Sequence, residues 1–301
     1  MRRPRAVTAA RQRGIALVMV LWVLLLVTIS TGAYTLMARM DSLEAYTVLA
    51  TTRARMAAEA GLNFAVMGLR DPDELTRLVA DGRPYTMQYG DVAIEVQVTD
   101  ERGKIDINAT NEATLVNLFT ANGVEQDDAE LLAAAIKDWS DPDEIERANG
   151  AELPAYEAAG LDVGPANRNF IMVDELLQVL GMPWELYKKI EPGLTVFSDQ
   201  AQPDPAYAPV EALMALPDMT EEEALNFVEE RQSQDGTGGA GTALPNGEVA
   251  MARGRGVTYS ILAKGTLPSG VWDQIEATIR IGGGANGQPF RILRWRDGFH
   301  E

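Results

Sequence analysis

Residues 13–22 read Arg-Gly-Ile-Ala-Leu-Val-Met-Val-Leu-Trp, in which a basic residue and a glycine precede a wholly apolar run. The chain stays uncharged from Ile15 to Ala38, a span of 24 residues. As a helix this segment would be about 36 Å long, whereas a bilayer core is about 30 Å thick. It therefore predicts one membrane-spanning helix over 15–38. The arginines before it predict a cytoplasmic N-terminus and a body on the opposite side of the membrane.

Three interpretations of this N-terminal segment compete. A secretory signal peptide would be cut after the apolar run, where residues 30–33 form a poor small-residue site. A signal anchor would remain uncut. A prepilin-type signal is cut before the apolar run, and the Arg-Gly step followed by Ile-Ala-Leu-Val closely resembles that class. The resemblance implies that an inner-membrane prepilin peptidase cleaves between Gly14 and Ile15 and then methylates the new amine of Ile15.

The fifth residue after that cut is Met19. Most pilin-like subunits carry a glutamate there, and in the fibre it neutralises the buried terminal amine of the subunit ahead. An unpaired charge in an apolar fibre core costs on the order of several kcal/mol. Because Met19 has no carboxylate, this chain cannot pair with a subunit ahead of it. The missing acid therefore favours the first position, at the fibre tip.

The charge distribution separates the N-terminus from the rest of the chain. The formal net charge is −18, yet five arginines precede Gly14, which leaves 21 basic and 44 acidic side chains in the remainder, or −23. A body this acidic is repelled by nucleic-acid phosphates and anionic lipids. The absence of cysteine and the single histidine, His300, exclude a disulfide framework, a histidine-based triad and a multi-histidine metal site.

The periodicity of the chain predicts an α+β fold with a large helical insertion. Residues 85–99 alternate in polarity and indicate paired strands, residues 108–231 are helical and acidic, and strand character returns after residue 256. Two helical pairs within the insertion share a spacing and resemble helix-hairpin-helix units, with turns near Gly123 and Pro217. Their acidic hairpins argue against nucleic-acid binding. The predicted segments are a leader (1–14), a transmembrane helix (15–38), a helix with the first strands (39–107), an inserted helical domain (108–232), a flexible glycine-rich loop (233–247) and C-terminal strands (248–301).

Four carboxylates in one loop of the insertion form a candidate metal site. They are Asp138, Asp141, Asp143 and Glu152, around a Trp-Ser-Asp-Pro-Asp run. Hard oxygen ligands in a proline-containing loop suit Ca²⁺ better than Zn²⁺, although the spacing is not that of an EF-hand. A solvated acidic loop with helix caps is the simpler alternative.

Several motifs in this order resemble the minor pseudopilin K family of type II secretion, the general secretion pathway protein K family. They are the Asp-Trp-Ser-Asp-Pro-Asp run, the Gly-Ala-Glu step, the Pro-Ala-Asn-Arg-Asn-Phe segment, the Val-Asp-Glu-Leu-Leu-Gln-Val-Leu-Gly stretch and the final strands. The resemblance implies a pilin-like domain, a place at the pseudopilus tip with minor pseudopilins I and J and other pseudopilins, and structural calcium at the four acids named above.

The sequence thus predicts a non-enzymatic tip pseudopilin that is anchored in the inner membrane with a periplasmic body. Contact with secreted cargo or with the outer-membrane channel is a hypothesis that follows from a tip position. A membrane-anchored periplasmic enzyme and a DNA-binding pilin-like tip protein are the alternatives. The first would require a pocket with perturbed carboxylates, and the second a basic surface.

Overall fold

The computed structural model describes residues 13–217, 219–234, 241–251, 254–283 and 287–298. It divides into two compact units, residues 1–53 and residues 54–301. Most of the predicted leader, residues 1–12, lies outside the described residues, as do residues 235–240 of the predicted flexible loop and His300.

The first unit contains the N-terminal part of helix α1, which runs from Arg13 to Leu69. No proline interrupts the chain between Ile15 and Arg70, so nothing breaks its hydrogen-bond ladder. Among the described residues, one helix is long and apolar enough to cross a bilayer, and it begins at Ile15. Its apolar side chains from Ile15 to Ile29 are exposed, as a lipid-facing segment requires.

The second unit is built on a five-stranded antiparallel sheet in the order β1-β2-β7-β8-β9. Strand β2 confirms the predicted alternation, because Val92, Ile94, Val96 and Val98 are buried while Ala93 and Glu95 are exposed. The strands are β1 (Asp81–Tyr89), β2 (Val92–Asp100), β7 (Thr258–Thr266), β8 (Trp272–Ile281) and β9 (Phe290–Asp297).

The C-terminal part of α1 packs directly on this sheet through small residues. Ala54, Ala58 and Ala65 are completely buried. A Cβ added to Gly265 of β7 would lie 2.4 Å from the carbonyl oxygen of Ala54. The backbone of the helix therefore lies directly against the backbone of the strand, with no side chain between them at this glycine. Any larger residue at this contact would push the helix away from the sheet.

The helical insertion lies between β2 and β7, as predicted, and has its own hydrophobic core. Its largest fully buried side chains include Trp139, Tyr156 and Phe119. Its elements are β3 (Ile105–Asp106), α2 (Glu112–Ala121), α3 (Gln126–Ser140), α4 (Leu153–Ala158), α5 (Trp184–Ile190), β4 (Leu194–Thr195), α6 (Val210–Leu213) and α7 (Glu221–Ser233).

The two predicted helical pairs differ in completeness. Helices α2 and α3 form a full pair around Gly123, whose φ of +89° favours glycine. The second pair joins α7 to α6, which is a single turn of four residues. The stretch that begins at Val173 is a 3₁₀ helix, Val173–Gln178, instead of an α-helix.

Residues 242–250, part of which was predicted to be flexible, contain a short hairpin. Strand β5 (Thr242–Ala243) pairs antiparallel with β6 (Val249–Ala250). The amide of Leu244 donates to the carbonyl of Glu248 at 2.7 Å and closes the turn. The periodicity of so short a strand pair is invisible in the sequence.

Two of the ionic networks between the insertion and the sheet involve Glu101 and Glu191. In the first, buried Glu101 contacts Lys104 at 2.9 Å and accepts a hydrogen bond from Ser260 of β7 at 2.6 Å. In the second, Glu191 accepts from Arg294 at 2.9 Å and from Arg296 at 2.7 Å, both on β9. Each network links segments more than 90 residues apart in sequence.

Candidate metal-binding loop

The predicted processing site lies at the start of α1. Gly14 is in the first turn of the helix, and the side chains of Ile15 and Met19 are 65% and 66% exposed. The exposed position of Met19 means that this side chain is available to neighbours in an assembly. Cleavage before Ile15 and the effect of the missing acid remain predictions.

Asp138 lies at the centre of the candidate metal loop and is completely buried in the last turn of α3. The loop after α3 folds back over it, so that the backbone amides of Arg147 and Ala151 donate to its carboxylate. A Cβ added at Gly150 would lie 1.9 Å from its Oδ2, so this return requires glycine. Burial raises the pKa of Asp138 because it disfavours the charged form.

Asp141 and Arg147 close the outer side of the loop. Asp141 Oδ2 accepts hydrogen bonds from Arg147 Nε at 3.1 Å and Nη2 at 3.0 Å. Arg147 Nε also lies 3.2 Å from Asp138 Oδ1, without the geometry of a hydrogen bond to it. The sequence analysis missed Arg147, although it is the single base among residues 141–152.

Glu152 approaches the same cluster from the start of α4. It occupies the N-cap position but makes no side-chain capping bond, and it is 4% exposed. Burial is the main cause that raises its pKa, followed by the negative charges of Asp138 and Asp141. One buried oxygen of each of these three acids, Asp138 Oδ1, Asp141 Oδ1 and Glu152 Oε1, has no hydrogen-bond partner.

Asp143, the fourth predicted ligand, is placed differently. It is exposed, and its Oδ1 accepts from the amide of Ile145 at 2.9 Å within its own turn. Across the described residues, no three acidic or histidine side chains form a ready-made ligand set. Asp138 and Asp141 both contact Arg147, and Glu152 lies near enough for its pKa to be raised by Asp138, Asp141 and Asp143.

An aromatic cluster around Trp139 packs next to the loop. The ring of Trp139 lies 6.1 Å from Tyr156 and 6.2 Å from Phe170. Asn108 holds Phe170 by two hydrogen bonds, since its amide nitrogen donates to the Phe170 carbonyl and its oxygen accepts from the Phe170 amide. Trp139 follows Asp138 directly, so the packing of its ring anchors the last turn of α3, which carries Asp138.

The oxygens without a hydrogen-bond partner bear on the predicted cation site. Three buried carboxylate oxygens without a partner are costly in the metal-free loop, and a bound cation would satisfy them. All three are oxygens, the ligand type that Ca²⁺ prefers. Asp138, Asp141 and Glu152 are the residues that would hold it.

Part of the chain is similar to a known protein family. A family model described as "Type II secretion system (T2SS), protein K" matches residues 92–199. Residues 92–199 are therefore similar to the type II secretion protein K family. The matched region includes the candidate metal loop and the insertion from its start through β4.

Two members of the protein K family align with a longer part of the chain. The type II secretion system protein K of Pectobacterium carotovorum subsp. carotovorum is 32% identical over 215 residues, which cover 61% of this chain and 62% of that protein. That of Klebsiella pneumoniae is 28% identical over 211 residues, covering 63% and 64%. The chain thus aligns with less than two thirds of either relative.

The fold is also similar to a solved structure. The match is to a chain in the crystal structure of the GspK-GspI-GspJ complex from the enterotoxigenic Escherichia coli type 2 secretion system, with a TM-score of 0.57 and 17% sequence identity. It covers 87% of this chain and 100% of that chain. The comparison confirms the predicted α+β fold.

Proposed function

We propose that this chain is a minor pseudopilin at the tip of the type II secretion pseudopilus. There it would initiate assembly and support the export of folded proteins across the outer membrane. The observation that carries the proposal is Met19, an uncharged residue where a subunit inside the fibre needs an acid. The protein K family match of residues 92–199 supports the assignment to type II secretion.

The shape of the second unit supports an end position. The insertion between β2 and β7 adds its own core to the sheet, so the subunit is bulkier than a sheet and a helix alone. A bulky subunit is tolerated at a fibre end, where neighbours pack on one side only. Because the related fold was solved in a complex with GspI and GspJ, pseudopilins I and J are the proposed partners.

Localisation follows from α1. The uncharged segment from Ile15 anchors the chain in the inner membrane, and the arginines before it hold the N-terminus in the cytoplasm. The acidic body then lies in the periplasm. Its role is mechanical, through assembly and movement of the fibre, and requires no catalytic group.

Processing and position test this function. In cells with the prepilin peptidase and the companion pseudopilins, the mature chain is expected to begin at a methylated Ile15, and labelled copies should lie at fibre ends. Met19→Glu should supply the missing carboxylate and distribute labelled copies along the shaft. N-terminal sequencing, intact mass and electron microscopy of labelled fibres measure these outcomes.

Met37→Glu provides the control for position, because it adds the same charge to α1 away from the terminal amine. It should not place copies along the shaft. A retained leader in peptidase-positive cells, or wild-type copies along the shaft, would contradict the tip assignment.

Calcium is a second part of the proposal. Asp138, Asp141 and Glu152 would bind the ion, and the ion would hold the loop between α3 and α4 against the end of α3. Two of these acids are almost completely buried, so the bound cation would offset their mutual repulsion.

Calcium is expected to raise the melting temperature of the full chain in detergent micelles. At about 100 times its Kd, a ligand adds about 2.7 kcal/mol of stability, which corresponds to a rise of about 5 °C or more. Because burial raises the pKa of Asp138 and Glu152, protons compete with the ion, and the rise in melting temperature should shrink as the pH is lowered. Circular dichroism with calcium or chelator measures it.

Asp138→Asn should abolish the calcium effect, whereas Asp127→Asn, at an exposed acid in the first turn of the same helix, should leave it intact. Equal melting temperatures of the wild-type chain in calcium and in chelator would rule out a structural ion.

A further inference from the structure

Arg147 is the one base in a loop segment, residues 141–152, that carries five acids. Its guanidinium donates to Asp141 through two nitrogens and lies 3.2 Å from Asp138 and 3.7 Å from Glu112. A positive group therefore already stands among the acids that would bind the cation.

The backbone of Arg147 is held in place, whereas its side chain is about half exposed. Its backbone amide donates to Asp138 Oδ2 at 3.2 Å, and its carbonyl accepts from the Gly150 amide at 2.9 Å, so the main chain is fixed within the loop. Its side chain is 45% exposed. The guanidinium can therefore turn into solvent without any change in the backbone that positions Asp138.

The guanidinium also leaves the buried oxygens unsatisfied. Asp138 Oδ1, Asp141 Oδ1 and Glu152 Oε1 have no hydrogen-bond partner even though Arg147 is present. Among these three acids the guanidinium forms hydrogen bonds only to Asp141, whereas a spherical divalent ion binds several oxygens at once. The loop thus contains an internal cation that matches its charge incompletely.

We propose that Arg147 is a displaceable internal counter-cation, which holds the metal-free loop in its folded form and is exchanged for calcium. This inference rests on the proposed calcium site. Calcium and the guanidinium compete for Asp138 and Asp141, so Arg147 weakens calcium binding while it stabilises the empty loop. The exchange sets the calcium concentration at which the loop becomes rigid.

Arg147→Gln tests the exchange in the full-length protein in detergent. It removes one positive charge beside two acids, so we expect calcium to bind about tenfold more tightly in isothermal titration calorimetry. In chelator, the melting temperature should fall below that of the wild type, and calcium should restore it. The calcium-induced rise in melting temperature is therefore larger in the variant.

Arg168→Gln is the matched control. Arg168 also belongs to the insertion, is 49% exposed and pairs with a buried acid, Glu175, at 3.1 Å. Its replacement removes the same charge without removing an ion pair to Asp138 or Asp141, so the calcium affinity should stay within about twofold of wild type. If both variants gained calcium affinity equally, the gain would be an effect of net charge alone, and the proposed exchange would be wrong.

Displacement itself can be measured by arginine-specific labelling with phenylglyoxal and peptide mass spectrometry. Arg147 should react several-fold faster in calcium than in chelator, while Arg168 serves as the internal reference. Unchanged labelling of Arg147, or wild-type affinity in Arg147→Gln, would overturn the exchange and leave the calcium site intact. If neither the wild type nor Arg147→Gln bound calcium, both the calcium site and the proposed exchange would be wrong.

Discussion

Replacing Glu101 with glutamine is expected to destabilise the second unit by about 3–5 kcal/mol, because it breaks a buried ion pair and leaves Lys104 without its partner. Glu101 is 2% exposed and lies 2.9 Å from Lys104 Nζ. Ser260 and Thr195 also donate to its carboxylate. Burial opposes the charge of Lys104, but Glu101 outweighs it and holds the pKa of Lys104 above its usual value. The melting temperature should fall by about 10 °C.

Three further variants distinguish the effect of the buried ion pair from a general effect of surface charge. Glu59→Gln removes an exposed acid that lies 3.4 Å from Arg55, and it should change the stability by less than about 1 kcal/mol. Lys104→Met should be damaging alone, yet the double variant Glu101→Gln, Lys104→Met should cost less than the sum of the two. If the Glu101→Gln and Glu59→Gln variants have the same melting temperature, the buried ion pair does not hold the insertion to the sheet.

Trp139→Ala is expected to cost about 3–5 kcal/mol, since it removes a large side chain from the centre of the insertion core and leaves a cavity. The ring is 2% exposed and packs between Tyr156 and Phe170. Because Trp139 follows Asp138, the variant should also bind calcium more weakly. Thermal unfolding and calcium titration of the full-length chain measure the two effects.

Trp184→Ala is the matched control, because this tryptophan is 55% exposed and stacks on Tyr187 at 5.7 Å. Its replacement should cost about 1 kcal/mol or less. Trp139→Ala with wild-type stability would show that the insertion core is not organised around this ring. If Trp139→Ala were destabilised but bound calcium as the wild type does, the packing of the insertion core would not influence the calcium site.

The candidate loop shows where residue chemistry was sufficient and where it was not. The acidic run pointed to a hard cation, which stays a prediction. In the structure Asp138 and Asp141 both contact Arg147, and the charges of these two acids raise the pKa of Glu152. Asp143 stays a predicted ligand, and in the structure its exposed side chain accepts a hydrogen bond from the amide of Ile145. Arg147 was overlooked because a single base among acids carries no pattern, and its place depends on the return of the loop at Gly150.

Local periodicity was enough for the apolar helix from Ile15, the alternating strand at Val92–Asp100 and the helical character of the insertion, because burial on one face leaves a repeat in the chain. The pairing of β3 with β4, the contact of Glu101 with Ser260 and the entry of Arg147 into the acid cluster required the folded protein. These contacts join residues that are distant in sequence or depend on one tight turn, and neither leaves a local repeat to detect.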